Sequence, residues 1–204
     1  TDSKGVICVG EENTYKFLEA CLKALTTPYR SSRVFIGLDE TLRIGRGKYL
    51  RKHGFKDTAD IIGEHVENLR PIFDNLGIKP MMWNDIYLDK PDSQAVMSAA
   101  KSMDIMYRTD NSTDTKAGLD KLKKFSSNVM YVGESCFKYS VVPRYDMTVN
   151  SAASDLAECI NSGVKEAVVL MSCEDRAEAD YFAGLYLLQV YAEIAYTGEY
   201  NEAQ

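Results

Sequence analysis

Hydrophobic and polar positions along this chain follow two alternating periods. Short apolar runs rich in β-branched and aromatic residues recur, and between them apolar residues fall at helical spacing. Val6-Ile7-Cys8-Val9 is a short extended run. Asn13 or Thr14 then caps a predicted helix over residues 14–26, with Phe17, Leu18, Cys21, Leu22 and Leu25 on one face. Residues 33–38 predict a strand, Val34-Phe35-Ile36-Gly37-Leu38, that runs into two adjacent acids, Asp39 and Glu40. A basic, glycine-containing loop follows (Arg43 to Tyr49), then a helix over 57–76 that Pro71 should kink or split and Gly77 should end. Later strands are expected at 79–85, 104–107, 128–133 and 166–171. Helices are expected at 92–100, 114–125, 151–161 and 177–196, the third stopped by Gly163.

Strands that alternate with helices predict a parallel sheet with right-handed crossovers. From residue 33 onward there are five such strands, each followed by a helix. Two architectures fit, an open doubly wound sheet and the later portion of an eight-stranded barrel. No linker or low-complexity tract divides residues 1–204, so one unit is expected.

Composition narrows the function classes. A net charge of −6 and a pI near 5.1 argue against a nucleic-acid partner, because phosphate binding needs a basic face. No apolar run reaches the roughly 18 residues that span a bilayer, so no membrane partner is expected. The five cysteines are far apart and form no CxxC pair, and only His53 and His65 are present. That argues against a zinc site or disulfide framework and favours a reducing compartment such as the cytoplasm. No metal and no cofactor is expected, since Gly45-x-Gly47 lacks the third glycine of a dinucleotide loop.

In either architecture the carboxyl ends of the parallel strands lie on one side, where chemistry collects. Read in order, those ends carry Asp39 and Glu40; Trp83, Asn84 and Asp85; Tyr107 to Asp110; Glu134 to Phe137; and Ser172 to Asp175. Acids, amides and an aromatic face suit a carbohydrate, whose C–H faces stack and whose hydroxyls need polar partners. Each residue also has a plainer reading. Asp39 caps a helix, Trp83 packs in the core, Asp85 caps the following loop, Tyr107 packs in its strand, and Glu174 with Asp175 complements a helix N-terminus. His65 reads as a satisfied, partly buried side chain. The aromatic-rich last helix reads as packing, and Arg43, Arg46, Lys48, Arg51 and Lys52 as a solvated face.

The run FIGLDETLRIGRGKYLRKHG, followed one helix later by GIKPMMWNDIYL, resembles the catalytic domain of family 20 glycoside hydrolases, the β-N-acetylhexosaminidases. Members carry H-x-G-x-D-E, then L-G-x-G-x-Y, then G-x-K-P-M-x-W-x-D. The resemblance implies a (β/α) barrel of TIM type in which this chain supplies strands four to eight. Five strands cannot close that barrel, so a missing N-terminal barrel segment or a second chain is expected as partner.

By the same resemblance, Glu40 protonates the glycosidic oxygen with a raised pKa, and Asp39 holds the substrate's 2-acetamido N–H. Tyr107 donates to the acetamido carbonyl, Trp83 walls the acetamido pocket, Asp85 joins the substrate-binding residues, and Glu174 grips sugar hydroxyls. The implied reaction is retaining, substrate-assisted removal of terminal N-acetylhexosamine from a glycan. Departures from the pattern are Phe35 for the usual histidine, Cys136 with Phe137 and Ser172 where tryptophans are common, and Thr109 for the aspartate after the tyrosine. The arginine of the first family strand is absent. These departures keep a second reading open, a non-hydrolysing relative that binds glycans or another subunit. A third is an open flavodoxin-like module in which Asp39 binds a metal or accepts a phosphoryl group.

Overall fold

A computed structural model describes residues 1–39, 41, 43–109, 114–135, 145–171 and 181–199. Its strands are β1 (Arg33–Phe35), β2 (Lys79–Trp83), β3 (Asp104–Tyr107), β4 (Val129–Glu134) and β5 (Ala167–Leu170). They stand in one sheet in the order β1-β2-β3-β4-β5, and the pairs β1–β2 and β4–β5 are parallel. A doubly wound sheet reverses its strand order at a switch point. Here the order follows the sequence from edge to edge, which is the winding of a barrel. The chain falls into two compact units, residues 1–105 with 124–127, and residues 106–123 with 128–204, and the division passes within β3.

In the first unit, Val6 to Val9 does not form a strand. Val6 makes only an isolated bridge to Ser3, and Cys8 and Val9 are buried. The helix α1 (Glu12–Thr26) forms where its periodicity places it, yet none of its residues is buried, and Phe17 and Leu25 are exposed. After β1 come the short α2 (Lys48–His53) and the long α3 (Thr58–Leu76). Asp57 caps α3 by accepting from the Ala59 N–H, and left-handed Gly77 ends it as expected. Pro71 does not split α3. Both Pro71 and Glu67, whose carbonyl loses its donor to the proline, lie on the exposed side, where solvent satisfies that carbonyl. β2 leads into α4 (Asp85–Asp89) and α5 (Gln94–Ala100), and Gly63 of α3 lets Ala95 of α5 approach closely.

At the amino-terminal ends of these strands the buried Asp104 carboxylate pairs with Arg33 at 2.9 Å and Lys79 at 2.8 Å. One buried acid thus ties the starts of β1, β2 and β3 together.

The second unit holds α6 (Thr115–Leu122), capped by Asp114, then β4 and a helix that begins earlier than its pattern suggests. That helix runs as α7 (Tyr145–Ser151), a π-helical stretch (Ala152–Leu156) and α8 (Ala157–Asn161). Within the π stretch Asp155 accepts from Thr109 Oγ1 at 2.8 Å, Thr115 Oγ1 at 3.0 Å and Ser151 Oγ at 3.1 Å. A 3-10 turn (Tyr181–Gly184) opens α9 (Leu185–Thr197). Leu187, Val190, Tyr191 and Ile194 of α9 are buried, as packing residues should be, but Phe182, Leu185 and Tyr186 are exposed. Gly133 of β4 explains the docking of α9. A Cβ there would lie 2.5 Å from the Tyr191 ring, whose hydroxyl donates to the Glu134 carbonyl at 3.1 Å.

Candidate active site

The candidate site in the first unit is built at the carboxyl ends of β1 and β2. Regular strand ends at Phe35, but pairing continues. The Ile36 N–H donates to the Met81 carbonyl at 2.9 Å, and the Trp83 N–H to the Gly37 carbonyl at 3.1 Å. Gly37 and Leu38 then both take positive φ, 75° and 66°, and turn the chain out of the sheet. Leu38 is the only non-glycine residue with positive φ among the described residues, a conformation that costs about 1 kcal/mol or more and collects at functional sites. The next residue is Asp39, whose side chain is exposed.

Asp39 lines a cavity of about 520 Å³ together with Gly5, Val6, Ile7, Leu38, Thr41, Arg43 and Ile44. Phe35 pairs with Met81 in register, and Trp83 lies two residues further along β2, so all three share one face of the strand pair. On that face Phe35 meets Trp83 edge-on, with ring centroids 4.9 Å apart. Phe35 remains 40% exposed while Trp83 is buried. The residue that replaces the expected histidine thus makes an aromatic pair with the tryptophan. Asp85 is half-buried in the first turn of α4, not in a loop, and buried Asn84 precedes it.

The glycine-containing loop beyond Asp39 is shaped by close packing at its two glycines. A Cβ on Gly45 would lie 2.1 Å from Ile61 Cδ1, and a Cβ on Gly47 2.0 Å from the Asp2 carbonyl oxygen. The basic residues after it serve surface pairing. Lys48 and Lys52 hold Glu11 at 3.0 and 2.9 Å, which pulls the Glu11 carboxyl down to about 2, and the Arg46 guanidinium lies over the Phe55 ring at 4.6 Å.

Tyr107, in the second unit, is fully buried. Its hydroxyl donates to the Thr115 carbonyl at 3.3 Å, and Gly118 gives it room against α6. The donor expected to meet a substrate carbonyl is therefore engaged with a helix. Near it in sequence, Arg108 pairs with Glu134 at 3.4 Å. Glu40, Asp110, Cys136, Phe137 and residues 172–175, Glu174 among them, lie outside the described residues. His65 is buried as read, with its Nδ1 3.2 Å from the Tyr15 hydroxyl, and burial pushes its pKa down to about 4. Asp2 carries a role that sequence reasoning missed, since its hydrogen bonds to Gly47 and Tyr49 reach across more than forty residues without any local motif.

No group of three or more histidine, cysteine, aspartate or glutamate side chains among the described residues could hold a metal, and Cys8, Cys21 and Cys159 are free thiols. No helix among them is long and apolar enough to cross a membrane.

Among curated proteins none matches the chain. The family model described as "Glycosyl hydrolase family 20, catalytic domain" matches residues 1–136, a stretch that spans β1 to β4 and every residue lining the cavity beside Asp39. With its singly wound parallel strands forming part of a TIM-type barrel, the chain belongs to glycosyl hydrolase family 20.

Proposed function

We propose that the protein removes terminal N-acetylhexosamine from glycans by retaining, substrate-assisted hydrolysis. The observation that carries this reading is the register of one strand pair. It brings the turn that ends in Asp39 beside Trp83, at the carboxyl ends of β1 and β2, with a cavity alongside. An acid and an aromatic residue at neighbouring strand ends match the needs of an acetamido sugar: an acceptor for the N–H and an apolar surface for the methyl group.

In this proposal the acetamido oxygen attacks the anomeric carbon, and Glu40 gives its proton to the departing glycosidic oxygen. Asp39 holds the acetamido N–H and balances the positive charge that develops on the oxazolinium ring. Water, activated by Glu40 now acting as base, opens the ring with retained configuration. Trp83, with Phe35 against its edge, walls the acetamido pocket. Asp85 and Glu174 contact sugar hydroxyls. Tyr107 is left out of the machinery, because its hydroxyl is engaged by Thr115.

A partner belongs to the proposal. The unburied α1 and the exposed Phe17 and Leu25 support further barrel strands, or a second chain, covering that face.

The test is release of chromophore from an aryl N-acetylglucosaminide, with and without an added N-terminal barrel segment. Glu40→Gln should abolish release while N-acetylglucosamine still binds. Equal turnover by that variant would sink the assignment of the acid. Sugar binding without turnover by the native protein would favour the glycan-binding alternative.

A further inference from the structure

The first nine residues run as a strap across the loop that follows Asp39. Asp2 is buried, and it meets three consecutive N–H groups at the start of α2. Its carboxylate accepts from Gly47 at 3.0 Å and from Tyr49 at 2.6 Å, and its carbonyl accepts from Lys48 at 2.9 Å. The Asp2 N–H in turn donates to the Val6 carbonyl at 2.9 Å, which folds the strap back on itself. α2 needs this help, because its own N-cap residue is Gly47, which has no side chain to offer. Gly47 also permits the contact, since any Cβ there would strike the Asp2 carbonyl. Three residues beyond Asp2 the strap supplies Gly5, Val6 and Ile7 to the cavity that Asp39, Thr41 and Arg43 also line.

We infer that Asp2 is a positioning residue of the active site, holding the strap and the loop after Asp39 at the spacing that admits the sugar. The inference rests on the proposed hydrolysis. Asp2 touches no substrate and acts through the chain it clamps. The β1–β2 register holds the chain at Gly37, two residues before Asp39, and Asp2 holds it again at Gly47. Charge-assisted bonds from a carboxylate to backbone N–H groups are the strong kind, and an error of about 1 Å in a catalytic group costs on the order of 100-fold in rate.

The experiment has a kinetic arm and an exchange arm. Asp2→Ala should lower kcat on the aryl N-acetylglucosaminide by about 10- to 100-fold while KM changes far less. Gly47→Ala, which separates strap and loop with the carboxylate intact, should show the same split. Asp57→Ala, which removes the cap of α3 elsewhere in the unit, should lose stability but keep kcat. In the unmutated protein, N-acetylglucosamine should slow amide hydrogen exchange in residues 3–9 as well as in 36–41 and 81–85, a readout that needs no variant to fold. Protection of 36–41 and 81–85 without 3–9, or full kcat in both clamp variants, would overturn the role of Asp2 and leave the hydrolase reading standing. No turnover and no protection anywhere would overturn that reading, and this inference with it.

Discussion

Burying an imidazole without a counter-charge favours its neutral form, and His65 is held that way beside the Tyr15 hydroxyl, with a pKa near 4. Above about pH 6.5 the ring is neutral in both folded and unfolded chains and adds no slope. Between 6.5 and 4 the unfolded chain binds a proton that the native one refuses, so stability falls as pH falls. The full penalty, about 3 kcal/mol, is reached below pH 4. Urea midpoints measured from pH 7 to 4 should show this decline, and His65→Gln should flatten it; an unchanged slope would rule the residue out as its source. The apolar spacing around position 65 already marked that burial. Asp39 and Trp83 were legible too, because each closes an apolar run. The engagement of Tyr107 was not, since which face of a strand meets a helix is set by packing on α6 and Gly118. Nor was Asp2, whose three partners lie forty-five to forty-seven places away.

Among elements, local signals predicted existence better than extent. Asp57, Ser93 and Asp114 each cap a helix through a side-chain oxygen, and those starts follow directly from composition. β1 is shorter than its apolar run, because Gly37 and Leu38 leave the sheet in left-handed conformations that no hydrophobic pattern reports. The π-helical stretch around Asp155 was equally hidden. It gathers hydroxyls from Thr109 and Thr115, which are near only in space. The contact between α9 and β4 gives a test at this scale. Gly133→Ala places a methyl group inside the Tyr191 ring contact and should destabilise the second unit by about 1–3 kcal/mol. Denaturation followed by tyrosine fluorescence would read it, and an unaltered midpoint would mean that α9 docks some other way.

For the molecule as a whole, the two ends of the strands have different work. Asp104 joins Arg33 and Lys79 at the amino-terminal ends, away from the candidate chemistry. Asp104→Asn should cost about 2 kcal/mol, less than a fully buried pair because Lys79 is half exposed, and should leave kcat of the folded enzyme unchanged. A matched loss of rate in thermal melts and assays would contradict that division. The α1 face should behave as free surface in the isolated chain. Phe17→Ser with Leu25→Ser should shift its stability by no more than about 0.5 kcal/mol. A large loss would show that those side chains are already covered. The alternation of strand and helix, the acid–aromatic ends of β1 and β2, and the family could all be read from residue order, because periodicity and short motifs are local properties. The winding of the sheet, the Phe35–Trp83 pair, the engagement of Tyr107 and the Asp2 clamp emerge in the folded chain alone. Each of these depends on which distant residues come into contact, and contact between distant residues is settled by the packing of the folded chain.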